Sequence, residues 1–173
     1  MSYGLESGNQ KILDLIGKKF DLGQAFQALA WTREAGMQTK GFFILGHPAE
    51  THATLEDTLT FAKQADLDDI SVFMLTPFPG SQLYEVAHHY GSFQKDWQRM
   101  NLLDVVFVPH GLSEADLRGF SSRMLRAFYL RPRILKDYAK RALSDPVKVP
   151  AIFRGGYAFL RGAFSKGYKG RTA

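Results

Sequence analysis

The stretch Lys40-Gly41-Phe42-Phe43-Ile44-Leu45-Gly46-His47-Pro48-Ala49-Glu50-Thr51 decides how the rest of the chain is read. A run of apolar residues ends at Gly46. A polar loop with Pro48 and Glu50 follows, and a helical pattern then runs from Thr54 to Ala65. A buried strand, a glycine turn and a helix make one βα unit. The loop at the carboxyl end of such a strand is where α/β folds bind ligands. Gly46 leaves room for close approach to the backbone, and Glu50 sets a carboxylate beside it.

The same pattern extends on both sides. Ser2-Tyr3-Gly4-Leu5 reads as the end of a strand, and Gln10 to Ile16 as a helix capped by Asn9. Leu22 to Gly36 is a second helix, with Leu22, Ala25, Phe26, Leu29 and Ala30 at helical spacing and Gly36 as its stop. The central strand spans Gln38 to Leu45, and the helix after it runs from Thr54 to Asp66 with Leu55, Leu59 and Ala62 as its stripe. Asp69 to Leu75 is the next strand. It ends in Thr76-Pro77-Phe78-Pro79-Gly80-Ser81, where prolines and glycine forbid helix and ladder alike. Gln82 to Tyr90 reads as a helix stopped by Gly91. Val105-Val106-Phe107-Val108 is a short strand ended by Pro109. Ser113 caps a helix that runs to about Leu130, and Pro132 separates it from a helix over Arg133 to Leu143.

Strands alternating with helices predict an α/β fold with a parallel sheet. The strands are short and almost continuously apolar, which predicts burial on both faces. With 45% hydrophobic and 23% charged residues, the 173-residue chain has enough apolar surface for one domain, or for one domain with an appendage. No secretory pattern opens it, and no apolar run reaches the roughly 20 residues that span a bilayer, so the expected compartment is the cytoplasm.

Charge is unevenly placed. Residues 1–130 hold 11 Lys/Arg against 15 Asp/Glu, whereas residues 131–173 hold 11 against two. The acidic body argues against a nucleic-acid partner. There is no cysteine. That excludes disulfides, zinc–thiolate sites and an iron–sulfur cluster ligated by this chain. Phosphate-loop and nucleophile-elbow motifs are lacking, and the five histidines show no metal spacing. His47 reads as a solvated loop histidine on the ligand rim. Asp66, Asp68 and Asp69 read as a solvated turn, and Trp31 and Trp97 as core or lid residues.

Three strand-end loops, Gly4-Leu5-Glu6-Ser7-Gly8, Ile44 to Glu50, and Thr76 to Ser81, come in order and at matching intervals. Together they resemble the later strands of the radical S-adenosylmethionine enzymes. More narrowly they are similar to the branch that carries a cobalamin-binding domain in front, including the anaerobic magnesium-protoporphyrin ester cyclases. The resemblance covers about residues 3–112, and Phe128-Tyr129-Leu130-Arg131-Pro132-Arg133 also fits. It implies the C-terminal half of a partial (β/α) barrel over residues 1–112, with a helical, basic extension over residues 113–173.

The resemblance also implies roles. Glu6 and Ser7 match positions that hydrogen-bond the ribose and amino-acid end of S-adenosylmethionine. Ile44, Gly46 and Glu50 match the motif Gly-x-Ile-x-Gly-x-x-x-Glu, in which Phe42 replaces the first glycine. Ile44 would face adenine, Gly46 would give clearance, and Glu50 would stabilise the loop. Leu75, Thr76 and Pro77 match the segment whose backbone contacts adenine. The family's 4Fe-4S cluster is held by Cys-x-x-x-Cys-x-x-Cys, which this chain lacks. The chain is therefore expected to be the C-terminal fragment of a longer enzyme, inactive alone and supplying the adenosine and ribose side of the site. Cobalamin would sit in an N-terminal domain, and the missing N-terminal half would be a partner alongside a small-molecule substrate. The alternative is a non-catalytic adenosyl-binding or protein-interaction module.

The segment after Ser144 has its own pattern. Phe153, Tyr157, Phe159, Leu160 and Phe164 alternate with Arg154, Arg161 and Lys166. Residues 144–173 could lie on an anionic membrane or pack on the body with their cations solvated.

Overall fold

Three parallel strands organise the first part of the chain: β1 (Ser2–Glu6), β2 (Lys40–Leu45) and β3 (Asp69–Met74), in the order β1-β2-β3. The structure is a computed structural model and describes residues 1–144. Between β1 and β2 lie α1 (Gln10–Leu15) and α2 (Leu22–Glu34), and α3 (His52–Gln64) links β2 to β3. The α/β class and the parallel sheet are as the sequence predicts.

Side-chain alternation sets the register. Gly41, Phe43 and Leu45 of β2 are buried and pair with Ile70, Val72 and Met74 of β3. Phe61 of α3 meets Phe43 with ring centroids 6.3 Å apart, and Phe26 of α2 meets Phe61 at 4.9 Å. Helices thus cover this face. On the opposite face Lys40, Phe42 and Ile44 pair with Asp69, Ser71 and Phe73, and all six are half-buried. Phe42 and Phe73 lie 5.9 Å apart there, and Lys40 reaches Asp69 at 2.9 Å. Burial on both faces is therefore corrected: the apolar run of β2 has one covered face and one partly open one.

The helix caps follow local chemistry. The Asn9 side chain accepts from the Ile12 N–H. Asp21 and Gln24 form a capping box on α2, and Thr51 and Thr54 form one on α3. The second box starts α3 at His52, two residues before the apolar periodicity suggests.

The two edges of the sheet differ. On the β3 side, the Leu102 carbonyl accepts from the Met74 N–H at 2.9 Å, and the Asn101 carbonyl from the Thr76 hydroxyl at 2.8 Å. No described strand pairs with the outer edge of β1. At the amino end of the sheet, Asp68 is buried. It accepts from the Thr39 N–H at 2.8 Å and from Arg33 at 3.2 Å, while Arg33 also holds Asp66 at 2.6 Å. This is a structural clamp at Asp68, not the solvated turn expected.

After β3 come α4 (Gln82–Val86), a 3₁₀ turn (Ala87–His89) and an antiparallel pair, β4 (Gly91–Phe93) and β5 (Phe107–Pro109). Gly91 is read as a helix stop in the sequence but begins β4. A Cβ there would lie 2.0 Å from the Val108 carbonyl oxygen, so only glycine lets the two strands approach. Trp31 and Trp97 are 63% and 70% exposed, so neither is a core residue.

The chain divides into two compact units, residues 1–120 and 121–173. The division falls inside α5 (Glu114–Tyr129), and α6 (Pro132–Ser144) follows. Within the second unit, Arg131 stacks over the Phe128 ring at 4.2 Å and donates from Nε to the Phe128 carbonyl. The aromatic and basic residues from Phe153 to Lys166 lie outside the described residues. Among the described residues no helix is long and apolar enough to cross a membrane.

Candidate functional site

The carboxyl ends of β1, β2 and β3 place the residues singled out in the sequence. A bulge between Gly4 and Glu6 ends β1, and Glu6 adopts φ 62°. Its carboxylate folds back over Gly4, where a Cβ would sit 2.8 Å from Glu6 Oε1. Lys18 Nζ meets Glu6 Oε1 at 2.9 Å and donates to the Gly4 carbonyl at 3.3 Å. Gly4 is the register partner of Phe42, which places this ion pair beside the partly open face. Lys18 carries no motif. Only the return of the turn after α1 brings it here, which is why sequence reasoning missed it.

Ser7 is fully buried. Its hydroxyl lies 3.1 Å from the Thr58 hydroxyl of α3 and accepts from the Asn9 N–H at 3.1 Å. The next residue, Gly8, is pressed against α3: a Cβ would lie 2.5 Å from Phe61 Cβ and 2.7 Å from Thr58 Cα. The β1–α1 loop is thereby fixed to α3.

The β2–α3 loop closes on itself. Glu50 is 0% exposed, and its Oε2 accepts from the Gly46 N–H at 2.5 Å and from the His47 N–H at 3.2 Å. The Glu50 N–H in turn donates to the His47 carbonyl at 3.0 Å. Burial pushes the Glu50 carboxyl up to about 7, against the opposing pull of the two backbone N–H groups. His47 is 3% exposed, which corrects the solvated reading. Burial lowers its imidazole to about 4; the Ile44 carbonyl opposes this shift and Lys18 adds to it.

Gly46 has φ 93°, a conformation that favours glycine. A Cβ on it would meet Leu117 Cδ1 at 3.4 Å, the Phe107 carbonyl at 3.7 Å and Leu75 Cβ at 3.8 Å. Protein fills the space beside its Cα, so the backbone turn is what calls for glycine here. His52 and Asp116 stand 4.0 Å apart, linking the starts of α3 and α5.

Ile44 is half-buried and pairs with Phe73 on the partly open face. Leu75 continues the ladder, donating to the Leu45 carbonyl at 2.8 Å. Thr76 and Pro77 are buried behind the Asn101 contact. The structure thus gathers Glu6, Ile44, Phe73 and Leu75 at or beside the strand ends, while Ser7, Gly46 and Glu50 hold the loops. An apolar strip edged by a carboxylate–ammonium pair suits a flat apolar group with a polar or zwitterionic end.

The residues present do not fit an iron–sulfur cluster. The chain has no cysteine, and among the described residues no three His, Asp or Glu group as metal ligands.

No family model matches the chain. It is 31% identical over 134 residues to an uncharacterized methyltransferase of Pyrococcus horikoshii, covering 77% of this chain and 29% of that protein. A putative methylthiotransferase of Methanocaldococcus jannaschii is 30% identical over 118 residues, 68% of this chain and 26% of the relative. The anaerobic magnesium-protoporphyrin IX monomethyl ester cyclase of Rubrivivax gelatinosus is 27% identical over 137 residues, 79% of this chain and 24% of the relative. The chain spans under a third of the length of these relatives. With the strand-end motifs, these similarities place the chain in the radical S-adenosylmethionine superfamily.

Proposed function

We propose that the carboxyl ends of β1, β2 and β3 form the adenosine and ribose side of an S-adenosylmethionine site in a radical enzyme of methylase or oxidoreductase type. The partly open apolar face at Ile44 and Phe73, bordered by the Glu6–Lys18 pair, carries this reading. Ile44 would lie against adenine, and the Leu75-Thr76-Pro77 backbone would border it. Glu6 would accept from ribose hydroxyls or the ammonium group. Ser7, Gly46 and Glu50 would act by holding the loops that present these groups.

In this reading the three strands belong to a (β/α) barrel over residues 1–112, with residues 113–173 as an extension. The thiolates for the cluster, and any cobalamin, come from a part of the enzyme outside this chain. A groove of about 470 Å³ beside β1 supports such a docking partner. It is lined by Tyr3, Leu5, Phe20, Ala25, Ala28 and Trp31 along the strand edge that no described strand occupies. A strand and helix of the partner would fill it. The same edge favours the second reading, a protein-interaction module without catalysis of its own.

Calorimetric titration with S-adenosylhomocysteine tests the site without the chemistry. Binding by the wild-type chain is expected to fall at least tenfold in Ile44→Asp, because a buried charge would face the adenine. Equal binding by both would remove the β2 end from the site.

A further inference from the structure

We propose that α6 rests on an anionic lipid surface. In α6, Leu135, Ala139 and Leu143 recur at every fourth position and so share one face. All three are exposed, Leu135 at 52% and Leu143 at 84%. Ile134, about 100° round the helix from Leu135, is 1% exposed and marks the inward edge of the same apolar sector. The sector's other side, at Leu135, Ala139 and Leu143, is the part left exposed. The adjacent row holds Lys136 and Lys140, both exposed. An outward apolar row beside a lysine row is the pattern of a helix lying in a membrane interface.

The α5–α6 corner continues the pattern. Leu130 is 55% exposed. It borders a groove of about 530 Å³ lined by Arg123, Arg126, Ala127, Leu130, Arg131 and Pro132.

Charge decides between occupants. Residues 121–173 hold 13 Lys/Arg against two Asp/Glu. A nucleic acid would satisfy the cations and leave Leu135 and Leu143 in water. An anionic bilayer satisfies both rows.

The test is co-sedimentation of the full 173-residue chain with two kinds of vesicle, phosphatidylcholine alone and phosphatidylcholine mixed with phosphatidylglycerol. The chain is expected to pellet with the anionic vesicles only. Leu135→Ser with Leu143→Ser should lower partition roughly tenfold or more. Lys136→Gln with Lys140→Gln should lower it by roughly a further order of magnitude and weaken its salt dependence. Circular dichroism checks that both variants keep wild-type helix content. In Leu135→Trp, a chain of otherwise native sequence, brominated acyl chains should quench the added fluorescence. Anionic-vesicle binding unchanged by the leucine pair overturns the proposal. So does equal binding to neutral vesicles, an unquenched Trp at position 135, or capture by single-stranded RNA with none by vesicles.

Discussion

The Glu50 carboxylate accepts the Gly46 N–H at 2.5 Å, closing the β2–α3 loop from its far end. Both groups are buried, so neither has water as a ready substitute. The loop at the end of the central strand is therefore shaped from within, before any ligand arrives. Replacing Glu50 with Ala would strand the N–H groups of Gly46 and His47. The expected cost is about 2–4 kcal/mol, read by urea unfolding.

Two neighbouring groups give opposite pH dependences. The Glu50 carboxyl is raised from 4.5 to about 7 in the fold, so the folded chain holds its proton more tightly. That contribution is fully present below pH 4.5 and is lost as pH rises towards 7. His47 is lowered from 6.5 to about 4, so its contribution is present above pH 6.5 and lost as pH falls towards 4. Between these limits the two slopes oppose. His47→Gln should leave a stability that declines with rising pH, and Glu50→Gln one that climbs, each by up to roughly 3 kcal/mol. Unfolding free energies across a pH series decide this; slopes of the same sign in both variants would sink it.

Gly8 and Gly46 need glycine for different reasons, and their alanine variants should differ accordingly. At Gly8 the added Cβ meets Phe61 Cβ at 2.5 Å and the Thr58 Cα at 2.7 Å, so the β1–α1 loop must move off α3. Gly8→Ala is expected to cost about 3 kcal/mol or more. At Gly46 the nearest atom is Leu117 Cδ1 at 3.4 Å, and the penalty is mainly that of φ 93°. Gly46→Ala should cost roughly 1–2 kcal/mol. Thermal melts of the two variants test the order, and a milder effect at Gly8 would contradict it.

Asp68 lies at the end of the sheet away from the ligand loops. It holds the Thr39 N–H and Arg33 while only 4% exposed. Asp68→Ala should cost about 3 kcal/mol and leave ligand affinity unchanged in the folded fraction. Parallel measurements of unfolding and of S-adenosylhomocysteine binding separate the two. A change in affinity without loss of stability would refute the structural role.

The order of strands and helices was legible because periodicity and caps act locally, as at Asn9 and Ser113, whose hydroxyl accepts the Asp116 N–H. Of the hairpin, β5 was legible in part, its Phe107 and Val108 lying in the expected strand Val105–Val108, whereas β4 was not. The two strands have three residues each, and the need for Gly91 comes from Val108, far along the chain. The motif residues Glu6, Ile44 and Glu50 stood out by type and spacing. The burial of His47 did not, since Leu117 of α5 and Phe107 of β5, which stand beside the neighbouring Gly46, come much later in the chain. Lys18 was hidden for the same reason: its pairing with Glu6 is tertiary.

The central claim is tested most directly by a nuclear magnetic resonance titration of the ¹⁵N-labelled chain with S-adenosylmethionine. The account predicts saturable shifts at Glu6, Ile44, Leu75 and Thr76, with the amides around Asp68 unmoved. Saturable binding that shifts none of these strand-end amides, or no shift anywhere up to millimolar ligand, would contradict it.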